Sequence, residues 1–126
     1  MICRIEKAYA GRGAARQLKA DLDGAITDYN KSIETNPYLS DAYFNRGQAW
    51  KAKGELESAM TDFSQAIQIN PRHADYYAHR GLVWLLQGKE AEAQSDFAQC
   101  LSLNKELRLS LELRIQAVRQ LLLPKQ

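Results

Sequence analysis

Apolar and small residues recur along this chain at helical spacing. Ala59, Met60, Phe63, Ala66 and Ile67 fall on one helix face, and Ala42, Tyr43, Gly47 and Trp50 do so in the segment before it, the three-and-four rhythm of helices with one apolar side. A glycine, Gly54 and again Gly88, ends the first helix of such a pair, and an Asn-Pro dipeptide, Asn36-Pro37 and Asn70-Pro71, ends the second. Proline has no N–H to continue a helix and pushes the residue before it out of helical geometry. The pattern therefore predicts pairs of helices joined by short turns. It wavers only after Asn104, where apolar and polar residues alternate from Leu107 to Ile115, taken alone a strand signal.

A longer period settles that ambiguity. Asn36-Pro37 returns as Asn70-Pro71 after 34 residues, and its surroundings return with it, the mark of a stacked repeat. The three segments read AYAGRGAARQLKADLDGAITDYNKSIETNP, AYFNRGQAWKAKGELESAMTDFSQAIQINP and YYAHRGLVWLLQGKEAEAQSDFAQCLSLNK. The third closes on Asn104-Lys105 without the proline, and the first has Ala20 where the other two have the turn glycine. In the same frame Leu111 falls on the place of Tyr43 and Tyr77, Arg114 on that of Arg80, and Val118 on that of Trp84. Residues 106–122 thus read as the degenerate first helix of a fourth unit, and Ile115 replaces the recurring glycine.

That glycine, at Gly13, Gly47 and Gly81, sits in mid-helix, where it costs about 1 kcal/mol relative to alanine. Its recurrence implies that another helix crosses there, with Ala25, Ala59 and Ala93 as the matching small residues of the second helices. A helix of about 14 residues is about 21 Å long, and one pair cannot bury its own apolar stripe, so neighbouring pairs must stack.

These columns resemble the tetratricopeptide repeat family over residues 6–107. They are an aromatic at Tyr9, Tyr43 and Tyr77, glycine at Gly13, Gly47 and Gly81, alanine at Ala25, Ala59 and Ala93, an aromatic at Tyr29, Phe63 and Phe97, and proline at Pro37 and Pro71. The resemblance implies an all-α protein, an α-solenoid wound as a right-handed superhelix. A single domain over 1–126 is expected, with units at about 6–39, 40–73 and 74–107 and a capping helix at about 106–122. It also implies a non-catalytic adaptor or scaffold that holds a protein or peptide on a concave face lined by the first helices. Carried over position by position, that face comprises Lys7, Phe44, Asn45, Gln48, Lys51, His79, Leu82 and Leu86, continued by Leu109 and Leu113 on the cap. Either a ligand covers those last two leucines, or the cap tilts and buries them itself.

Some family members clamp the carboxylate tail of a chaperone with lysine, asparagine and arginine. At the corresponding places this chain has Ala10, Ala14, Asn45, Asp75 and His79, of which only Asn45 fits, and Asp75 would repel a carboxylate. A ligand with a short apolar anchor flanked by polar groups suits the face better. The alternative is self-assembly into a homodimer or larger oligomer, through the small-residue N-terminal edge or through the Leu109 and Leu113 face.

The chain departs from the family at Arg12, Arg46 and Arg80, which stand where leucine is common. Sixteen residues after each comes an aspartate, Asp28, Asp62 or Asp96. Structural ion pairs between helices are expected, because a guanidinium matches a carboxylate in two parallel hydrogen bonds and a half-buried arginine needs a partner. Left unpaired, the same column would be a ladder for an anionic ligand.

Composition narrows the partner classes. The chain is 45% hydrophobic and 25% charged with a net charge of +2, an ordinary globular balance with no basic stripe for nucleic acid. No apolar run nears the roughly 20 residues of a membrane span, and the opening MICRIEK is charged where a secretion signal is apolar, so a cytoplasmic location is expected. Cys3 and Cys100 read as free thiols, Cys100 in the small interior column of Ser32 and Ala66. No catalytic, metal or cofactor site is expected. His73 and His79 have no carboxylate or cysteine at ligand spacing, and GRGAAR at Gly11 lacks the third glycine and the preceding strand of a dinucleotide loop.

Overall fold

The computed structural model describes residues 21–124. Among them lie six α-helices and no strand: α1 (Leu22–Thr35), α2 (Ser40–Ala52), α3 (Leu56–Ile69), α4 (Ala74–Leu86), α5 (Glu90–Leu103) and α6 (Arg108–Leu122). The alternating stretch from Leu107 is helical, because its two faces are those of a helix, with Leu111 and Val118 buried on one side. The contacts divide the chain into two compact units, the boundary falling after Pro71.

In the first unit, α2 packs against both α1 and α3. The second helices carry their buried residues at the spacing of a single stripe. Ala25, Tyr29 and Ser32 on α1 and Ala59, Phe63 and Ala66 on α3 are fully buried. Burial also pushes the Tyr29 phenol up to about 12, with the charge of Asp28 adding to the effect. Helix α2 is buried on two sides, at Ala42 and Ala49 and again at Gly47, as a helix between two neighbours must be. Asp21 caps α1, its Oδ1 accepting from Gly24 N at 3.0 Å, which satisfies one of the open amides of the first turn.

The second unit repeats the arrangement, with α4 packed against α5 and α6. Ala93, Phe97 and Cys100 form the buried stripe of α5. Cys100 fills the slot held by Ser32 and Ala66, and burial raises its pKa, with Asp75 adding and Arg114 opposing. Tyr76 stands where the preceding repeat has Ala42. Both are fully buried, and the larger ring stacks on His73 at 4.1 Å between centroids and 6° between planes.

The turns explain where helices stop. Gly54 and Gly88 have φ of +83° and +76°, a backbone state that glycine enters without a Cβ penalty. The chain leaves helical geometry at Asn36, Asn70 and Asn104, which end α1, α3 and α5, and it is extended at Asn36 and Asn104. Proline is not what ends them all, since α5 stops at Leu103 with lysine following Asn104. The asparagine does it: Asn36 Oδ1 accepts from Tyr38 N at 3.0 Å and Asn104 Oδ1 accepts from Glu106 N at 3.1 Å. Such a side-chain turn competes with the next helical hydrogen bond. After Asn104 a single 3₁₀ turn, Lys105–Leu107, leads into α6.

The recurring glycine also has a more specific partner than a crossing helix in general. A Cβ on Gly47 would lie 2.7 Å from Phe63 Cε1, and one on Gly81 would lie 2.5 Å from Phe97 Cε1. The Cδ1–Cε1 edge of the second helix's aromatic ring lies against the glycine of the first, so Gly47 with Phe63 and Gly81 with Phe97 each form one contact. Ala59 stands close by, its carbonyl oxygen 3.3 Å from that Gly47 Cβ.

Candidate functional site

The strongest polar geometry lies inside each unit. Arg46 Nε donates to Asp62 Oδ2 at 2.8 Å and Nη2 to Oδ1 at 2.7 Å. Arg80 meets Asp96 in the same two-bond fork, both contacts at 2.8 Å. Each guanidinium also lies over the tyrosine one turn before it, Arg46 at 5.5 Å from the Tyr43 ring centre and Arg80 at 5.9 Å from that of Tyr77. The aspartates are buried and the arginines half-buried. The hydrogen bonds to aspartate push both arginine pKa values up, against a smaller lowering by burial, so the guanidinium groups stay charged. They are clips between the two helices of a repeat, and the carboxylates occupy the ground that an anionic ligand would need. Asp28 is buried as well; its expected partner Arg12 lies outside the described residues.

Sequence spacing did not reveal a third contact of Arg46, whose Nη1 donates to Asn30 Oδ1 on α1 at 2.9 Å. The guanidinium thereby ties the first helix of one repeat to the second helix of the repeat before it. The signal was there in principle, since Asn30 precedes Arg46 by the same sixteen residues that separate Arg46 from Asp62, but neither neighbouring repeat has asparagine at that place. Lys53 Nζ likewise pairs with Asp23 Oδ1 across the start of α1. In the second unit Arg119 Nη2 donates to Glu90 Oε1 at 2.5 Å, which lowers the Glu90 pKa.

The expected docking residues divide into several groups. Lys7 lies outside the described residues. Phe44, Asn45, Gln48 and Lys51 are half-buried along α2, and His79 and Leu86 are half-buried on α4. Phe44 is partly a packing residue, its ring 5.7 Å from that of Phe63 at a tilt of 47°. Leu82 is a correction. It is 3% exposed and belongs to the core of the second unit, because α4 uses Tyr76, Tyr77, Ala78, Leu82, Val83 and Leu85 for packing and keeps little free surface. Leu109 and Leu113 are 69% and 59% exposed, so α6 does not bury them by tilting.

A cleft of about 330 Å³ in the second unit is bordered by Arg72, His73, Ala74, Asp75, Leu103, Asn104 and Leu107. It lies at the turn end of the repeat and shares only Asp75 with the first-helix positions considered above. Among the described residues no helix is long and apolar enough to cross a membrane.

The family model described as Tetratricopeptide repeat matches residues 40–73. No curated protein sequence matches the chain. Among solved structures, the chain is 26% identical to MamA with a TM-score of 0.77, over 80% of this chain and 59% of that one. It therefore spans less than two thirds of the MamA chain. It is also 26% identical to the second TPR of Spaghetti (RPAP3) bound to HSP90 peptide SRMEEVD, with a TM-score of 0.77, over 79% of this chain and 93% of that one. The Arabidopsis OM64 TPR domain superposes with a TM-score of 0.86 over 95% of this chain and 98% of that one. At 20% identity that likeness speaks to the fold alone.

Proposed function

Because the chain is a tetratricopeptide repeat protein, we propose that it is a non-catalytic adaptor whose first helices dock a peptide segment of a partner protein. The observation that carries this reading is the row Asn45, Gln48 and Lys51 on α2. These polar side chains are half-buried and keep part of their surface open, whereas Gly47 lies under Phe63 and Arg46 holds Asp62. Amides at i and i+3 offer both donors and acceptors on one face, which suits the main chain of a bound peptide. A solved relative that holds a peptide, the second TPR of Spaghetti, supports the class of ligand.

The charge of the first helices argues for a different peptide from SRMEEVD. Asp41 and Asp75 stand in the first turns of α2 and α4, where an acidic tail would meet like charge. The ligand proposed here is neutral or basic around a short apolar anchor.

An array of peptides graded in charge and apolar content tests this. The wild-type chain is expected to retain basic or neutral members over acidic ones. The Asn45→Ala, Gln48→Ala variant is expected to lose retention at least tenfold while keeping its melting temperature. Retention of acidic tails in preference, retention unaffected by the double change, or no retention of any peptide would each overturn the reading.

A further inference from the structure

Helix α6 has two apolar faces and uses one. Leu111 and Val118 are buried in the second unit, while Leu109 and Leu113, a turn apart, stay largely exposed, and Gln116 and Gln120 follow them at the same three-and-four spacing. This is the seam spacing of a helix that packs lengthwise on another. On one flank of the seam lie Glu112 and Arg119, of opposite charge and one heptad apart, with side chains 58% and 48% exposed.

We infer that a second copy of this chain covers this face, the two α6 helices lying antiparallel about a two-fold axis. The charge pattern selects that occupant and that direction. In an antiparallel pair the same flanks of both helices face each other, so Glu112 of one copy comes level with Arg119 of the other, and symmetry repeats the contact. In this register Leu113 meets Gln116 of the other copy and Leu109 meets Gln120. The glutamine methylenes cover the leucines while their amides reach the rim. A parallel pair would set Glu112 near Ala117 and lose both ion pairs. Arg119 keeps its hydrogen bond to Glu90, because a guanidinium has five donors.

The contact closes on itself and stops at two copies. With two seam leucines per copy it falls below the roughly 1,200 Å² of standard interfaces, so the dimer is weak and forms at high concentration. It involves a different helix from the peptide-docking faces on α2 and α4, and either can hold without the other.

Sedimentation equilibrium from about 5 to 500 μM, a range set by that small area, tests the inference. The wild-type chain is expected to pass from monomer to dimer. Glu112→Arg and Arg119→Glu, each alone, place like charges opposite each other and are expected to weaken dimerisation at least tenfold. Mixing the two variants restores both attractions, so a heterodimer is expected where neither variant self-associates. Circular dichroism melts show that each variant is folded. A wild-type chain monomeric throughout, a dimer indifferent to both charge reversals, association beyond two copies, or a mixture that stays monomeric would each overturn it.

Discussion

The arginine and aspartate columns were legible because chemistry forces them to be. An arginine on a packed helix face needs a carboxylate, and two helices of fixed length joined by a fixed turn bring it from sixteen residues away. Arg46 and Asp62 should therefore behave as one element. Arg46→Leu leaves Asp62 buried without its fork and is expected to cost about 2–4 kcal/mol, somewhat below the usual figure for a fully buried pair because Arg46 keeps some solvent. Arg46→Leu with Asp62→Leu is expected to cost less than the two single changes summed. Urea denaturation of the four proteins measures this, and additive losses would show that the two side chains do not depend on each other.

Gly47 was legible only in part. The sequence showed that space was needed but not what filled it, since a glycine and a phenylalanine sixteen residues apart carry no mutual chemistry to read. With the Phe63 ring 2.7 Å from where a Cβ would lie, Gly47→Ala is expected to destabilise by about 1–3 kcal/mol through overpacking. That would outweigh the helix propensity of about 1 kcal/mol that alanine brings. The same change made in a Phe63→Leu background should be close to neutral, because the smaller, flexible side chain can move aside. Equal cost in both backgrounds would place the constraint elsewhere than on the ring.

At the scale of elements, hydrophobic spacing and the 34-residue frame together located the described helices, the frame correcting the strand signal in α6, whose alternation arises from its two apolar faces. Its outer leucines were legible as unexplained apolar residues, and only the fold showed which side they occupy. Leu82 was misplaced because position in the repeat says nothing about how much a neighbouring helix covers. The helix stops were ascribed to proline, yet α5 ends without one. Asn104 has φ −151° and ψ 98°, close to the −144° and 97° of Asn36 before Pro37. The backbone before Lys105 is thus already in the extended state that a following proline requires. Lys105→Pro, at the first position of a 3₁₀ turn where proline is well tolerated, is expected to stabilise by about 0.4–1 kcal/mol by restricting the unfolded chain. Asn104→Ala is expected to cost about 1 kcal/mol by removing the hydrogen bond to Glu106 N. Thermal melts decide both, and a destabilising Lys105→Pro would mean that the backbone there differs from the two Asn-Pro turns.

At the scale of the whole molecule, contacts concentrate within two units that divide after Pro71, and each unit has its own aromatic anchor, Phe63 in one and Phe97 in the other. Repeat proteins draw their stability from each unit and its nearest neighbours, so damage should spread unevenly. Phe63→Ala is expected to cost about 3–5 kcal/mol and to speed amide exchange in α1, α2 and α3 more than in α4, α5 and α6. Phe97→Ala should reverse that order. Hydrogen exchange read by mass spectrometry on peptides from the two sides of Pro71 measures the asymmetry at conditions where most molecules remain folded. If either change lowers protection equally on both sides, the described chain opens as one cooperative body, and the docking faces of α2 and α4 stand or fall together. If protection falls on one side alone, a partner peptide held by α2 would survive the loss of Phe97, and binding could be assigned to a unit by destabilising the other.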